Sequence, residues 1–253
     1  MRVASFNLLH GQTLADGVVD VDRLRDAVRT LDADVLGLQE VDRDQARSHG
    51  VDQTAVVADV MGAVAHRFVP AIAGTPGQTW TAAGDDVAEG RPAYGISLLS
   101  RHPVKEWRVI RLPALKVRSP IRSHDGRLVL VRDEPRVAVA AVIEAPRGPL
   151  TVATTHLSFV PGWNGVQLRR LVAALRDLPV PQLLMGDLNI PGPLPRALGR
   201  WQPLVDEKTF PLGEPKLQLD HVLALGDLPA PTGSGAPRLP LSDHRAVYVD
   251  LDL

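Results

Sequence analysis

Six apolar, β-branched runs follow one another between His66 and Leu157 with no helical stretch among them: HRFVPAI, YGISLLSR, KEWRVIRL, RLVLV, RVAVAAVIEA and LTVATTHL. Pro and Gly punctuate the gaps, so each run reads as a strand. Only three segments carry a helical period. DVDRLRDAVRTLD spaces Val21, Leu24, Val28 and Leu31 on one face behind Asp20 as an N-cap, QTAVVADVMG closes on Gly62, and VQLRRLVAALRDL precedes the strand QLLMGDLN. RVASFNLL and ADVLGLQEV read as strands near the start, the second ending in Glu40, and LQLDHVLAL and RAVYVDLDL as strands at the end. Many strands with few helices, in neither a βαβ rhythm nor an all-β spacing, point to sheets packed together and covered by helices.

At 253 residues and 45% hydrophobic, a chain of this kind is expected to form one domain spanning 1–253. The longest apolar run, Val137 to Ile143, is far short of the roughly 18 residues a membrane helix needs, and the start, RVASFNLLHG, lacks the apolar core of a secretory signal. A cytoplasmic protein with no membrane span is the expectation, with a monomer as the working assumption. The absence of cysteine excludes disulfides, thiolate metal sites and a cysteine nucleophile. GDLPAPTGSGAPRLPLSDH, rich in Pro and Gly, reads as a surface loop and not as a domain linker.

Polar residues recur where the apolar runs stop. Asn7, Glu40, His156, Asp187, Asn189, Asp220, Asp243 and His244 all sit at such ends. Each has an ordinary explanation taken alone, and Asp187 would serve as an Asx-turn residue before Pro-Gly. Their recurrence at strand ends, where sites gather on the edge of a core, favours a common role. In a strand, residues i and i+2 share a face, which would put Asp187 and Asn189 side by side.

Charge is unevenly spread within a net −1. From Arg101 to Arg136 there are ten Lys or Arg against four Asp or Glu, a local excess of six, and only four of the 28 basic residues are Lys. Guanidinium forks suit phosphate oxygens, so a cationic wall beside an acidic centre would fit an anionic substrate, with a solvated basic face as the alternative.

SFNLL, LGLQEVD, TTHL, GDLN, LDHV and SDHRAV, in this order, resemble the motifs of the endonuclease/exonuclease/phosphatase superfamily of DNase-I-like phosphoesterases. The resemblance spans essentially the whole chain. It implies an α/β (α+β) fold, a four-layered α/β/β/α sandwich of two mixed β-sheets flanked by helices. It further implies metal-dependent hydrolysis of phosphate esters by in-line attack of water, with Mg2+ as cofactor or Mn2+ in its place. Oxygen ligands and the lack of thiols favour such hard cations. By resemblance the metal ligands are Glu40, Asn7 and Asp243. Asp187 orients or deprotonates the water, and Asn189 donates to a phosphoryl oxygen. His244, held by Asp220, stabilises developing charge as an imidazolium, while His156 is a phosphate donor or general acid. Tyr94 and Asn164 are expected at the substrate rim. His221, adjacent to Asp220, should face the other way, and His10, His49, His66, His102 and His124 lie outside the motifs.

AYGISLLSRHPV resembles a segment of the phosphodiesterase-like branches but carries Ile96 where Asn is frequent, and Ala93 where DNA-repair members have a phosphate-contacting Tyr. With only ten aromatic residues and no basic tail, a small or lipid-like phosphodiester is the preferred substrate. A DNase-like or abasic-site nuclease is the second expectation, and an inactive binding module of the same fold the third.

Overall fold

The first strand explains how the layers arise. In a computed structural model of the chain, β1 (Arg2–Asn7) sends Val3 to one face and Ala4 and Phe6 to the other, and both faces are buried. A strand covered on both sides needs near-continuous hydrophobicity rather than a polar alternation. The structure describes every residue except 85, 86, 89, 123–127, 194 and 196–199. His124 and the first residue of RLVLV therefore lie outside the described residues.

Two mixed sheets form. One joins β1 to β2 (Val35–Arg43), β3 (Ala65–Gly74), β4 (Trp80–Ala82), β5 (Ala93–Ser100), β14 (Gly233–Gly235) and β15 (Val247–Asp250), in the order β14-β15-β1-β2-β5-β3-β4. The other joins β6 (Val104–Leu112), β9 (Arg136–Ala145), β10 (Gly148–His156), β11 (Gln182–Asp187), β12 (Gln202–Pro203) and β13 (Asp220–Leu225), in the order β12-β13-β11-β10-β9-β6. The pairs β1/β2 and β10/β11 are parallel and the remaining pairs antiparallel. A separate hairpin pairs β7 (Ser119–Arg122) with β8 (Leu128–Val131).

The core lies between the sheets. Val3, Val35, Ile96 and Leu98 of one meet Val137, Val139, Val152, Leu183 and Met185 of the other. On the outer face of the seven-stranded sheet, α1 (Val21–Leu31) and α2 (Gln53–Met61) set Leu24, Val28, Leu31 and Val57 against Phe6, Leu36 and Leu38. On the outer face of the six-stranded sheet, α3 (Trp163–Ala174) sets Leu168 and Leu171 against Ala140, Ala153 and Leu184. The result is the expected α/β/β/α sandwich. Asp20 caps α1 by accepting from the backbone N–H groups of Asp22 and Arg23, and Gly62 closes α2 at φ 63°, as read from the sequence.

Three expectations need correction. The strand carrying Glu40 does not end there but runs to Arg43, α3 begins before Val166, and the Pro/Gly-rich loop after Leu225 contributes the short β14.

A buried polar clamp fixes the two sheets against each other. Gln39 Nε2 donates to Thr154 Oγ1 at 2.9 Å and to Ser5 Oγ at 3.0 Å, and none of the three side chains is exposed. Ser5, Gln39 and Thr154 lie one or two residues before Asn7, Glu40 and His156. Gly37 permits the approach, because a Cβ there would meet Thr154 Oγ1 at 2.5 Å.

Candidate active site

The polar strand ends converge on one edge of the sandwich. Asp187 is the centre. It closes β11, and the preceding Gly186, at φ 140°, lies so close to β10 that a Cβ would overlap the carbonyl of Thr155. This brings His156 directly opposite Asp187 in the parallel register. The two oxygens of Asp187 divide their contacts: one makes the Asx turn and the other faces the cleft. Oδ1 accepts the backbone N–H of Asn189 at 2.9 Å. Oδ2 accepts from Asn7 Nδ2 at 3.1 Å and faces His156 Nε2 at 3.5 Å and His244 Nε2 at 3.8 Å.

Asn189 is therefore not the pleat neighbour of Asp187 that strand alternation suggests. The strand stops at Asp187, Asn189 takes φ 49°, and its Nδ2 donates to Leu157 O at 3.0 Å. Asn164, expected at the rim, is instead buried at the start of α3, where its Nδ2 donates to Asn189 O at 2.7 Å and its Oδ1 accepts from the N–H groups of Gly162 and Gly165. It holds the Asn189 loop in place.

Glu40 reaches the cleft through a register shift between Leu38 and Val41, at φ 55°. Bulges of this kind re-aim side chains near active sites, and a non-Gly residue in that region costs about 1–3 kcal/mol. Asn7 joins the halves: its Nδ2 donates to Glu40 Oε1 at 3.2 Å as well as to Asp187. Burial raises the Glu40 carboxyl above its ordinary range, Asn7 opposes this, and the nearby Asp243 adds to it.

His244 approaches from the loop before β15. Ser242 positions it at φ 74°, with its Oγ donating to Asn7 O at 2.7 Å and accepting from His244 N at 3.1 Å. Asp220, at the start of β13, meets His244 Nδ1 at 2.8 Å, and the Phe210 ring packs on the imidazole at 4.9 Å between centroids. Burial alone would lower this histidine, but Asp220 and then Asp187 outweigh it and raise it to about 10. His156 goes the other way, well below its ordinary value, through burial first and the charge of Arg136 second. Burial pushes Asp187 up to about 7, against the pull of His244. His221 points away as expected, its Nε2 bonding Ile190 O at 2.9 Å. Tyr94 is buried beside the cleft with the Arg47 guanidinium over its ring, 5.5 Å from the centroid.

Asp187, Asp220 and His244 bring ligand atoms within 4.8 Å of one another, a spacing able to hold a metal ion. The hydrogen bond at His244 Nδ1 and the raised imidazole favour an ion pair there, because an imidazolium has no lone pair to offer. Glu40 instead takes a hydrogen bond from Asn7 and feels the charge of Asp243, and carboxylate oxygens of this kind suit a hard cation.

Sequence reasoning missed Arg136, Ser242, Phe210 and the Gln39 clamp. Arg136 had a usable signal. It starts the strand antiparallel to the one ending in His156, with Thr155 opposite Ala138, so a strand beginning shares that edge. Four basic residues of the Arg101 to Arg136 segment have partners of their own. Arg101 pairs with Asp32 and Asp34, Lys105 with Glu144, Arg108 with Glu106 and Asp177, and Arg132 stacks on Trp80.

The family model described as Endonuclease/Exonuclease/phosphatase family matches residues 4–244. No curated protein is matched by the sequence. Among solved structures, an endonuclease/exonuclease/phosphatase from Beutenbergia cavernae is 26% identical, with TM-score 0.73 over 100% of this chain and 71% of that one. A mannosyl-6-phosphatase from Bacteroides thetaiotaomicron is 16% identical, with TM-score 0.61 and all of both chains covered. Sphingomyelinase C from Streptomyces griseocarneus is 16% identical, with TM-score 0.58 over 100% of this chain and 99% of that one.

Proposed function

The chain belongs to the endonuclease/exonuclease/phosphatase family, and from that premise we propose that it is a Mg2+- or Mn2+-dependent phosphodiesterase of small or lipid-like substrates. The observation that carries this reading is the Asp187 carboxylate, buried, raised to about 7 and shared by Asn7, His156 and His244. A base with that pKa accepts a proton from water at neutral pH without being exhausted as an acid.

Glu40, Asn7 and Asp243 would hold the cation. When bound, it supplies charge neutralisation at the phosphoryl oxygens and a polarised water. Asp187 takes the proton of the attacking water. Asn189, its carboxamide oriented by Leu157 O, donates to a phosphoryl oxygen. His244, kept cationic by Asp220, stabilises the charge that develops there. His156, kept neutral, acts as a hydrogen-bond donor rather than as the general acid. As the water oxygen bonds to phosphorus the ester P–O bond breaks, and the leaving oxygen departs as the anion and takes its proton from solvent. Tyr94 borders the substrate.

Arg101, Lys105, Arg108 and Arg132 are engaged by partners of their own, which favours a small ester over a nucleic-acid groove. The test is a panel of bis-nitrophenyl phosphate, nitrophenyl phosphate and plasmid DNA assayed with Mg2+, Mn2+ or EDTA. Hydrolysis of the diester, abolished by EDTA, with slow plasmid nicking is the expected result. Efficient, salt-sensitive plasmid cleavage would replace the reading by the nuclease, and inertness toward every ester by the inactive module. Glu40→Gln should remove nearly all turnover and weaken Mg2+ binding with the fold intact, so unchanged metal affinity by calorimetry refutes the ligand assignment.

A further inference from the structure

Arg136 is 5% exposed, yet its guanidinium is incompletely hydrogen-bonded. Its Nε is buried without a hydrogen-bond partner among the described residues, its Nη2 lies 3.6 Å from Glu134 Oε2, and its guanidinium sits 5.8 Å from the Phe159 ring centroid. Arg101, Arg108, Arg111 and Arg132 of its segment reach carboxylates, carbonyls or rings away from the Asp187 centre. A buried guanidinium with an idle donor is costly, because desolvation of the ion is offset only by well-formed partners. Such groups persist where an anion completes them.

The position identifies the anion. Arg136 lines a narrow cleft with His156, Tyr94 and Ile96, and its charge is felt at Glu40, Tyr94 and His156. A guanidinium presents N–H groups in a planar fork that matches two oxygens of a phosphate. We infer that Arg136 is a substrate-binding residue, donating from its guanidinium to non-bridging phosphoryl oxygens held beside His156. The inference rests on the phosphoester reading and extends it: charge recognition of the phosphate comes from one fixed arginine as well as from the cation and His244.

Inorganic phosphate is the probe, added in EDTA so that no metal mediates its binding. Phosphate should raise the melting temperature of the wild type, by preferential binding to the folded state. Arg136→Gln should lose that response while melting, without phosphate, no lower than the wild type. A merely structural arginine would lower the phosphate-free melting temperature instead. Arg136→Lys, which keeps the charge but not the fork, should respond more weakly than the wild type and serves alone if the Gln variant does not fold. With Mn2+, kcat/KM for bis-nitrophenyl phosphate should fall about 10- to 100-fold in Arg136→Gln, the scale of one hydrogen bond to a charged group. A wild type insensitive to phosphate, or a phosphate response that survives either substitution in full, overturns the inference. Failure of the phosphoester reading is seen separately, as absence of turnover in a wild type that still responds to phosphate.

Discussion

His156 and His244 face the same oxygen of Asp187, at 3.5 and 3.8 Å, and both are buried, yet their pKa values move in opposite directions. His244 is raised to about 10 and His156 is driven well below the ordinary value. Desolvation acts on both in the same direction, so burial does not explain the difference. The neighbours do. A carboxylate 2.8 Å behind His244 favours the imidazolium, whereas the Arg136 guanidinium near His156 and the charge of His244 itself disfavour a second cation. One carboxylate thus lies between an imidazole that favours the cation and one that favours the neutral form.

The contrast breaks most completely at Asp220. Asp220→Asn leaves the shape of the contact but removes the charge, and turnover should fall by about 100-fold to 10,000-fold, as expected when an orienting carboxylate is lost behind a working imidazole. Retention of more than a tenth of wild-type kcat would show that the pair does not set the rate. His156→Gln keeps a hydrogen-bond donor and should cost less, about 10-fold to 100-fold, with an unchanged alkaline limb in the pH–rate profile. A change in that limb would mean that His156, not His244, carries the proton.

Stability against pH sharpens the same contrast. The His244 pKa is raised in the folded protein, so its contribution is complete below its unfolded value near 6.5 and is lost as pH rises through about 10. Asp187, raised to about 7, changes below that window, which leaves the alkaline limb to His244. Urea titrations between about pH 7 and 10 should show wild-type stability falling by at most about 1.4 kcal/mol per pH unit for this one proton, and Asp220→Asn should be flatter. Equal slopes would contradict the assigned charge of His244. The smallest effect on activity is expected from His221→Ala, within a few-fold, because its ring bonds Ile190 O outside the Asp187 network. Its cost is to stability, about 1–3 kcal/mol for the orphaned carbonyl. Losses matching those of Asp220→Asn would show that the working neighbour in LDHV is the histidine.

The sequence by itself determined that apolar strands form sheets covered by helices, and it supplied the candidates for the site. Strands such as β9, whose Val137, Val139 and Ala141 face the other sheet while Ala138 and Ala140 face α3, are apolar at consecutive positions because both faces are covered. Asn7, His156, Asp187, Asp220 and His244 were legible as polar residues at or beside strand ends, and their recurrence there set them apart from ordinary turn residues. Tertiary structure decided which of them touch and what charge each holds. Asn7 and Asp187 bond across 180 positions of chain, and the Glu40 bulge, the Gln39 clamp and the turn that frees Asn189 from the pleat depend on how the sheets meet. Arg136 stayed hidden among ten basic residues for the same reason. Charge state follows from distance, burial and partners in space, and a local pattern of residues fixes none of the three.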